Sequence, residues 1–161
     1  MYRISSFGDF RCVHCRAFVS SAHELSGVNN RNHCPYCLWS CHLDLYAAGD
    51  RLSACKAGMK PIGLTMKKSR NKYRSRSRGE LMLIHECMEC GGVSINRIAA
   101  DDDAETVVAV FQGSITLDPQ VHSRSSQYGI LPLQMDDMEM VKEQLYGQPA
   151  DIPSAIWQPM P

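Results

Sequence analysis

Three pairs of cysteines separated by two residues, Cys12/Cys15, Cys34/Cys37 and Cys87/Cys90, constrain this 161-residue chain more than any other feature. Two intervening residues let both sulfurs of a tight turn point at one metal ion, and two such turns supply the four thiolates of a tetrahedral zinc site. The first two pairs read Cys-x2-Cys-x18-Cys-x2-Cys, a spacing typical of zinc ribbons and treble clefs. The length suits one modest domain with extensions, or two very small ones. Metal clamps of this kind explain what holds such a fold together and only indirectly what it is for.

Eight cysteines could form four disulfides. The stretch MYRISSFGDFRCVHC, however, has no apolar run of signal-peptide length. Nor does any stretch approach the ~20 apolar residues of a membrane helix. A cytoplasmic chain is therefore expected, where thiols stay reduced and paired cysteines hold metal. Net charge is zero, but it averages two opposite halves. Residues 1–78 carry 14 Lys/Arg against 4 Asp/Glu, and residues 79–161 carry 3 against 13. A polyanion would meet the first half, and the second half could repel or screen it.

The expected fold is a small α+β, zinc-stabilised one. It combines treble-clef or zinc-ribbon-like units with short hairpins, two or three short helices and an irregular C-terminal tail. FRCVHC reads as a strand entering a knuckle, followed by a returning strand and a polar loop. Cys34 and Cys37 open a segment in which Leu38, Cys41, His42 and Leu45 share one face at helical spacing, so a helix is expected there. PIGLTMKK and ELMLIHEC are strands of a long-tipped hairpin. In the next knuckle, CMECGG, Gly91 and Gly92 are free to take positive φ. Asp101, Asp102 and Asp103 start a helix with Val107, Val110 and Phe111 on its buried face. The expected division is a two-zinc domain over 1–113 and an acidic, Pro-rich extension over 114–161. In the extension SITLDPQVHSRSSQYGILPLQ reads as loop and MDDMEMVKEQLYG as an amphipathic helix. Ile130, Leu131, Ile156 and Trp157 are its candidate apolar anchors.

Cys12, Cys15, Cys34 and Cys37 form the first candidate zinc site, with His14 and His33 as neighbours rather than ligands. Cys87 and Cys90 need two more donors from among Cys41, His42, Cys55 and His85. The expected set is His42, Cys55, Cys87 and Cys90. Cys41 is equally plausible on spacing alone, and His85 is placed as a supporting or surface group. Two Zn2+ ions are thus expected, in sites with no open position for a catalytic water. The zinc-deaminase signature fails because His23-Glu24 puts the acid in the wrong place. A thioredoxin-like pair would need no second pair to share its metal. A non-enzymatic protein is expected.

KKSRNKYRSRSR, residues 67–78, carries seven cations in twelve positions and no acid. Lys67, Lys68, Arg70, Lys72, Arg74, Arg76 and Arg78 can pair with phosphates, and Tyr73 offers a stacking face. Such a segment gives salt-dependent, sequence-tolerant binding to RNA. Ribosomal RNA is the expected partner by analogy with small zinc ribbons bearing basic extensions, with ribosomal proteins as possible contacts of the tail. A zinc-dependent protein-interaction or transcription-associated module is the competing reading. Arg31, Asn32, Asn96 and Arg97 are read as bracing the knuckles rather than touching phosphates.

RNHCPYCLWSCHLD, beginning at residue 31, resembles the signature of the RNHCP domain family, whose members are small and mostly bacterial. Further blocks agree in order: GDR at 49–51, Cys55 with Gly58 and Met59, GE at 79–80, HECMECG at 85–91 and NRIAADD at 96–102. The resemblance covers about residues 8–112. It implies a shared metal framework of Cys12, Cys15, Cys34, Cys37, Cys55, Cys87 and Cys90. It also favours His42, since the family pattern has histidine there, usually after a basic residue where this chain has Cys41. The resemblance implies a domain and no particular activity.

Overall fold

The first cysteine pair sits at the tip of a hairpin whose strands are only two residues long, β1 (Phe10–Arg11) and β2 (Phe18–Val19). A single helical turn, α1 (His23–Ser26), follows and ends on Gly27 in the left-handed conformation. The computed structural model describes residues 8–68 and 79–147 of the chain. Strands too short to stand alone need another source of rigidity, and the adjoining core is built around Cys12, Val19 and Cys34.

The second cysteine pair leads into β3 (Ser40–Cys41), not into the expected helix. Leu38 takes a left-handed φ of 61°, which no continuing right-handed helix allows. The chain instead pairs Ser40 with Met59 and Cys41 with Gly58. β3 is the edge of an antiparallel meander completed by β4 (Gly58–Lys67), β5 (Glu80–Cys87) and β6 (Val93–Arg97). The β4–β5 hairpin follows the expected strands and runs in register out to Lys67 opposite Glu80. The register passes from Pro61–His85 to Gly63–Ile84, so Ile62 is the extra residue of a bulge.

Both faces of this sheet are covered, which is why β5 is buried almost continuously rather than at alternate positions. On one face α2 (Ala104–Ser114) lays Val107 and Phe111 against Leu38, Leu64, Leu81 and Leu83. Asp103 caps that helix by accepting the Thr106 N–H at 2.9 Å.

Residues beyond 113 supply the rest of the cover. α3 (Pro119–Gln127) runs where a loop is expected, started by the Asp118 carboxylate on the Gln120 N–H and by proline at the first helical position. Val121, Leu117 and Ile130 pack with Ile62, Ile84 and Val93 on the second face. A 3₁₀ turn (Met135–Asp137) leads into α4 (Met138–Tyr146), the expected amphipathic helix, whose fully buried Val141 joins the first core. The described part of the extension is therefore helical and packed, not irregular. Leu131 is exposed and contributes its carbonyl, which accepts the Thr65 hydroxyl at 2.7 Å. Ile156 and Trp157 lie outside the described residues.

Candidate metal centres

The three cysteine pairs are built on one backbone frame. In each, the first cysteine's N–H donates to the carbonyl five residues on: Cys12 to Ala17, Cys34 to Trp39, Cys87 to Gly92, at 2.8–2.9 Å. The residue four positions on donates back to the cysteine carbonyl, as Arg16, Leu38 and Gly91 do at 2.9–3.1 Å. Those three residues all have left-handed φ, between 61° and 69°. Glycine meets that demand freely at Gly91; Arg16 and Leu38 meet it under strain. Gly92 serves differently, because a Cβ there would stand 3.3 Å from His42 Cε1 and 3.4 Å from Cys90 Sγ.

The frame turns backbone N–H groups onto the sulfurs. Cys12 Sγ accepts from His14 N, Cys15 from Ala17, and Cys37 from Trp39. Cys34 accepts from Cys37 and Tyr36, Cys87 from Cys90 and Glu89, and Cys90 from Gly92. These bonds favour thiolates. Burial opposes them, pushing Cys34 up to about 11 and lifting Cys37 as well. At Cys87 burial also pushes upward, but the Cys90 and Glu89 N–H groups, with Cys90 and His42, bring the thiol down to about 7. A bound cation tips the whole set to thiolate.

Two donor groups result: Cys12, Cys15, Cys34 and Cys37, and His42, Cys55, Cys87 and Cys90, each with its ligand atoms within 4.8 Å of one another. A tetrahedral zinc with bonds of about 2.3 Å to sulfur spaces its sulfurs about 3.8 Å apart. The observed separations are 3.5 Å for Cys12–Cys37, 3.6 Å for Cys15–Cys34 and 3.6 Å for Cys55–Cys87, with Cys90 Sγ 3.3 Å from His42 Nδ1. Soft, thiolate-rich tetrahedral donor sets of this size suit zinc.

The alternatives for the second centre separate cleanly. Cys41 points the other way along β3 and donates its thiol to the Lys56 carbonyl at 3.1 Å, buried and raised by that burial. His85 is neither ligand nor surface group but fully buried. Its Nε2–H donates to the Leu38 carbonyl at 2.7 Å and its Nδ1 accepts from Asn96 at 3.0 Å. Burial and the nearby His33 push it down to about 3, so it stays neutral. His14 stacks on Trp39 instead of approaching the first sulfurs.

The residues RNH open the second knuckle from behind. Arg31 is buried and donates to Asp101 at 2.7 Å, to Asp102 at 3.4 Å and to the His33 carbonyl. His33 Nε2 meets Asp102 at 2.8 Å, and Asp102 also accepts the Ala99 N–H. Asp103 N donates to the Pro35 carbonyl, so the start of α2 grips the knuckle directly. Asn32 is buried too, while Arg97 pairs with Glu80 at the surface. This ionic cluster is invisible to local spacing, because its acids lie 70 residues along the chain.

Of the expected RNA-contacting residues, Lys67 ends β4 and Lys68 follows it, both exposed. Arg70, Lys72, Tyr73, Arg74, Arg76 and Arg78 lie outside the described residues. No helix among the described residues is long and apolar enough to cross a membrane.

Two sulfur-rich four-donor centres on a small antiparallel scaffold define a metal-binding module. The chain belongs to the RNHCP family, since the RNHCP domain matches residues 7–108, which include every donor of both centres. No curated protein and no solved structure matches it.

Proposed function

We propose that this is a cytoplasmic, non-enzymatic protein that holds two zinc ions and uses the scaffold they stabilise to bind RNA, with ribosomal RNA as the polyanion. The feature that carries the reading is the run of seven cations over 67–78, placed between the paired ends of β4 and β5 at Lys67 and Glu80. A hairpin of eight and ten residues is a stiff mount, and a segment bearing only one sign of charge is suited to phosphate contact. Zinc supplies folding free energy and compensates the thiolates, leaving about −2 on the first centre and about −1 on the second. Four protein donors at each centre support a structural role for the metal, and the arrangement of knuckles on hairpins fits zinc-ribbon-like units. The acidic extension is a candidate contact for ribosomal proteins.

The test is co-sedimentation of the zinc-loaded chain with ribosomes through sucrose at low and high salt. Association should fall by roughly 10³-fold between 50 and 200 mM salt, if about six phosphates are contacted. It should be lost when the seven cations of 67–78 become alanine. Salt-insensitive association that disappears on trimming 114–161 would instead establish a protein-interaction module.

A further inference from the structure

The first and second knuckles present a stacked pair of aromatic rings that are donors to neither metal centre. His14 is exposed between Cys12 and Cys15, and its ring lies parallel to that of Trp39, with centroids 4.3 Å apart and 3° between planes. Trp39 cannot drift. It packs against the core of Cys12, Val19 and Cys34, and its ring edge fills the space beside Gly58, where a Cβ would stand 3.5 Å from both Trp39 Cζ3 and Val13 Cγ2. The third knuckle reaches the same place, since Met88 N donates to the Gly58 carbonyl at 3.0 Å while its side chain stays 57% exposed. The stack is thus seated on the core of the first centre, and the third knuckle's backbone bonds to Gly58 beside its edge.

Building on the RNA-binding reading above, we infer that the outer face of His14 is a stacking platform for an unpaired base of single-stranded RNA. A base laid on His14 continues the pile already begun on Trp39, and every base has a π face to offer. The charges around the stack suit a nucleic acid. Arg11 and Arg16 are exposed on the same hairpin, joined by a bond from Arg11 Nη1 to the Arg16 carbonyl. Lys60 is exposed on the Gly58 face of β4, at the level Trp39 reaches one residue before the Ser40–Met59 pair. Glu89 is the one acid within the first and third knuckles, and Glu86, opposite Lys60 across the β4–β5 ladder, is paired with Arg124 at 3.0 Å. The platform lies at the Gly58 end of β4, and Lys67 ends the same strand roughly 30 Å away.

The experiment compares a 12-nucleotide oligoadenylate with an abasic strand of equal length and charge, binding the full-length, zinc-loaded chain in a Trp157→Phe background. The base-bearing strand should bind about tenfold more tightly and alone should quench Trp39 emission. His14→Ala should erase that preference while leaving the abasic strand's affinity and the zinc content unchanged, and His14→Tyr should preserve it. If both strands bind the parent chain equally, or if His14→Ala keeps the preference, the platform is refuted while RNA binding stands. If neither strand binds, RNA binding fails and the platform fails with it.

Discussion

At the scale of single residues, two letters of the family motif brace the second knuckle from inside the protein. Arg31 and His33 converge on Asp102, whose carboxylate is fully buried. Such a cluster need not stabilise the fold relative to apolar residues of equal volume, yet removing one member strands the others in a dry interior, at about 3–5 kcal/mol. Asp102→Ala should lower the unfolding free energy of the zinc-loaded protein by that amount in urea titration. Glu80→Ala, which breaks the exposed Arg97–Glu80 pair, should change it by less than about 1 kcal/mol. Equal effects would show that Asp102 is not the buried hub. Bracing was legible in the sequence as a role for Arg31, but its partner was not. Nothing in spacing tells which of Asp101, Asp102 and Asp103 turns inward and which caps a helix. For His42 against Cys41 the residues alone were evenly matched. The extended backbone that continues past β3, with His42 N–H donating to the Ala57 carbonyl, decides between them, turning one side chain to the metal centre and the other to the Lys56 carbonyl.

At the scale of elements, the knuckle explains both what was readable and what was not. The frame needs a left-handed residue four positions after the first cysteine, and only one of the three positions is glycine. For a non-glycine residue that conformation costs about 1–2 kcal/mol. Arg16→Gly should therefore be neutral or stabilise by up to about 1 kcal/mol, after allowing for the extra freedom of glycine in the unfolded chain. Leu38→Gly relieves the same strain but empties a fully buried core position, where loss of a leucine side chain costs about 2–5 kcal/mol, so burial wins and the variant should be clearly destabilised. Thermal melts of the two variants should move in opposite directions, or Arg16→Gly should hold level. A destabilised Arg16→Gly would contradict the shared frame. Because the frame imposes Leu38's conformation, the helical spacing of Leu38, Cys41, His42 and Leu45 was misleading. β4, β5 and α2 were legible from their apolar patterns and the aspartates before α2. β6 carried a usable signal in the alternation of Val93 and Ile95, and α3 carried one in Asp118-Pro119, but few apolar residues accompany either.

At the scale of the whole molecule, sulfur and sheet divide the work of folding. The first knuckle unit has almost no sheet of its own. The meander, by contrast, has both faces covered, one by α2 and α4 and the other by residues around α3. The family match ends at residue 108, yet Val141 is as buried as any residue of the central strands. Val141→Ala should lower the urea midpoint by the equivalent of roughly 2 kcal/mol, while Leu131→Ala, 72% exposed, should stay within about 0.5 kcal/mol. If neither moved the midpoint, α4 would be an appendage and not part of the core. The sequence could not disclose this. The extension has acids and prolines enough to look solvent-facing, and its few apolar residues acquire meaning only against the sheet.

The most direct measurement is the zinc content of the purified chain by elemental analysis, beside the fraction of thiols left reduced. Two zinc ions per chain are expected, with all eight cysteines reduced. One ion should remain in His42→Ala and two in Cys41→Ser. A chain that folds cooperatively without metal, with its cysteines oxidised to disulfides, would contradict the central claim that two thiolate-bound ions hold this fold together.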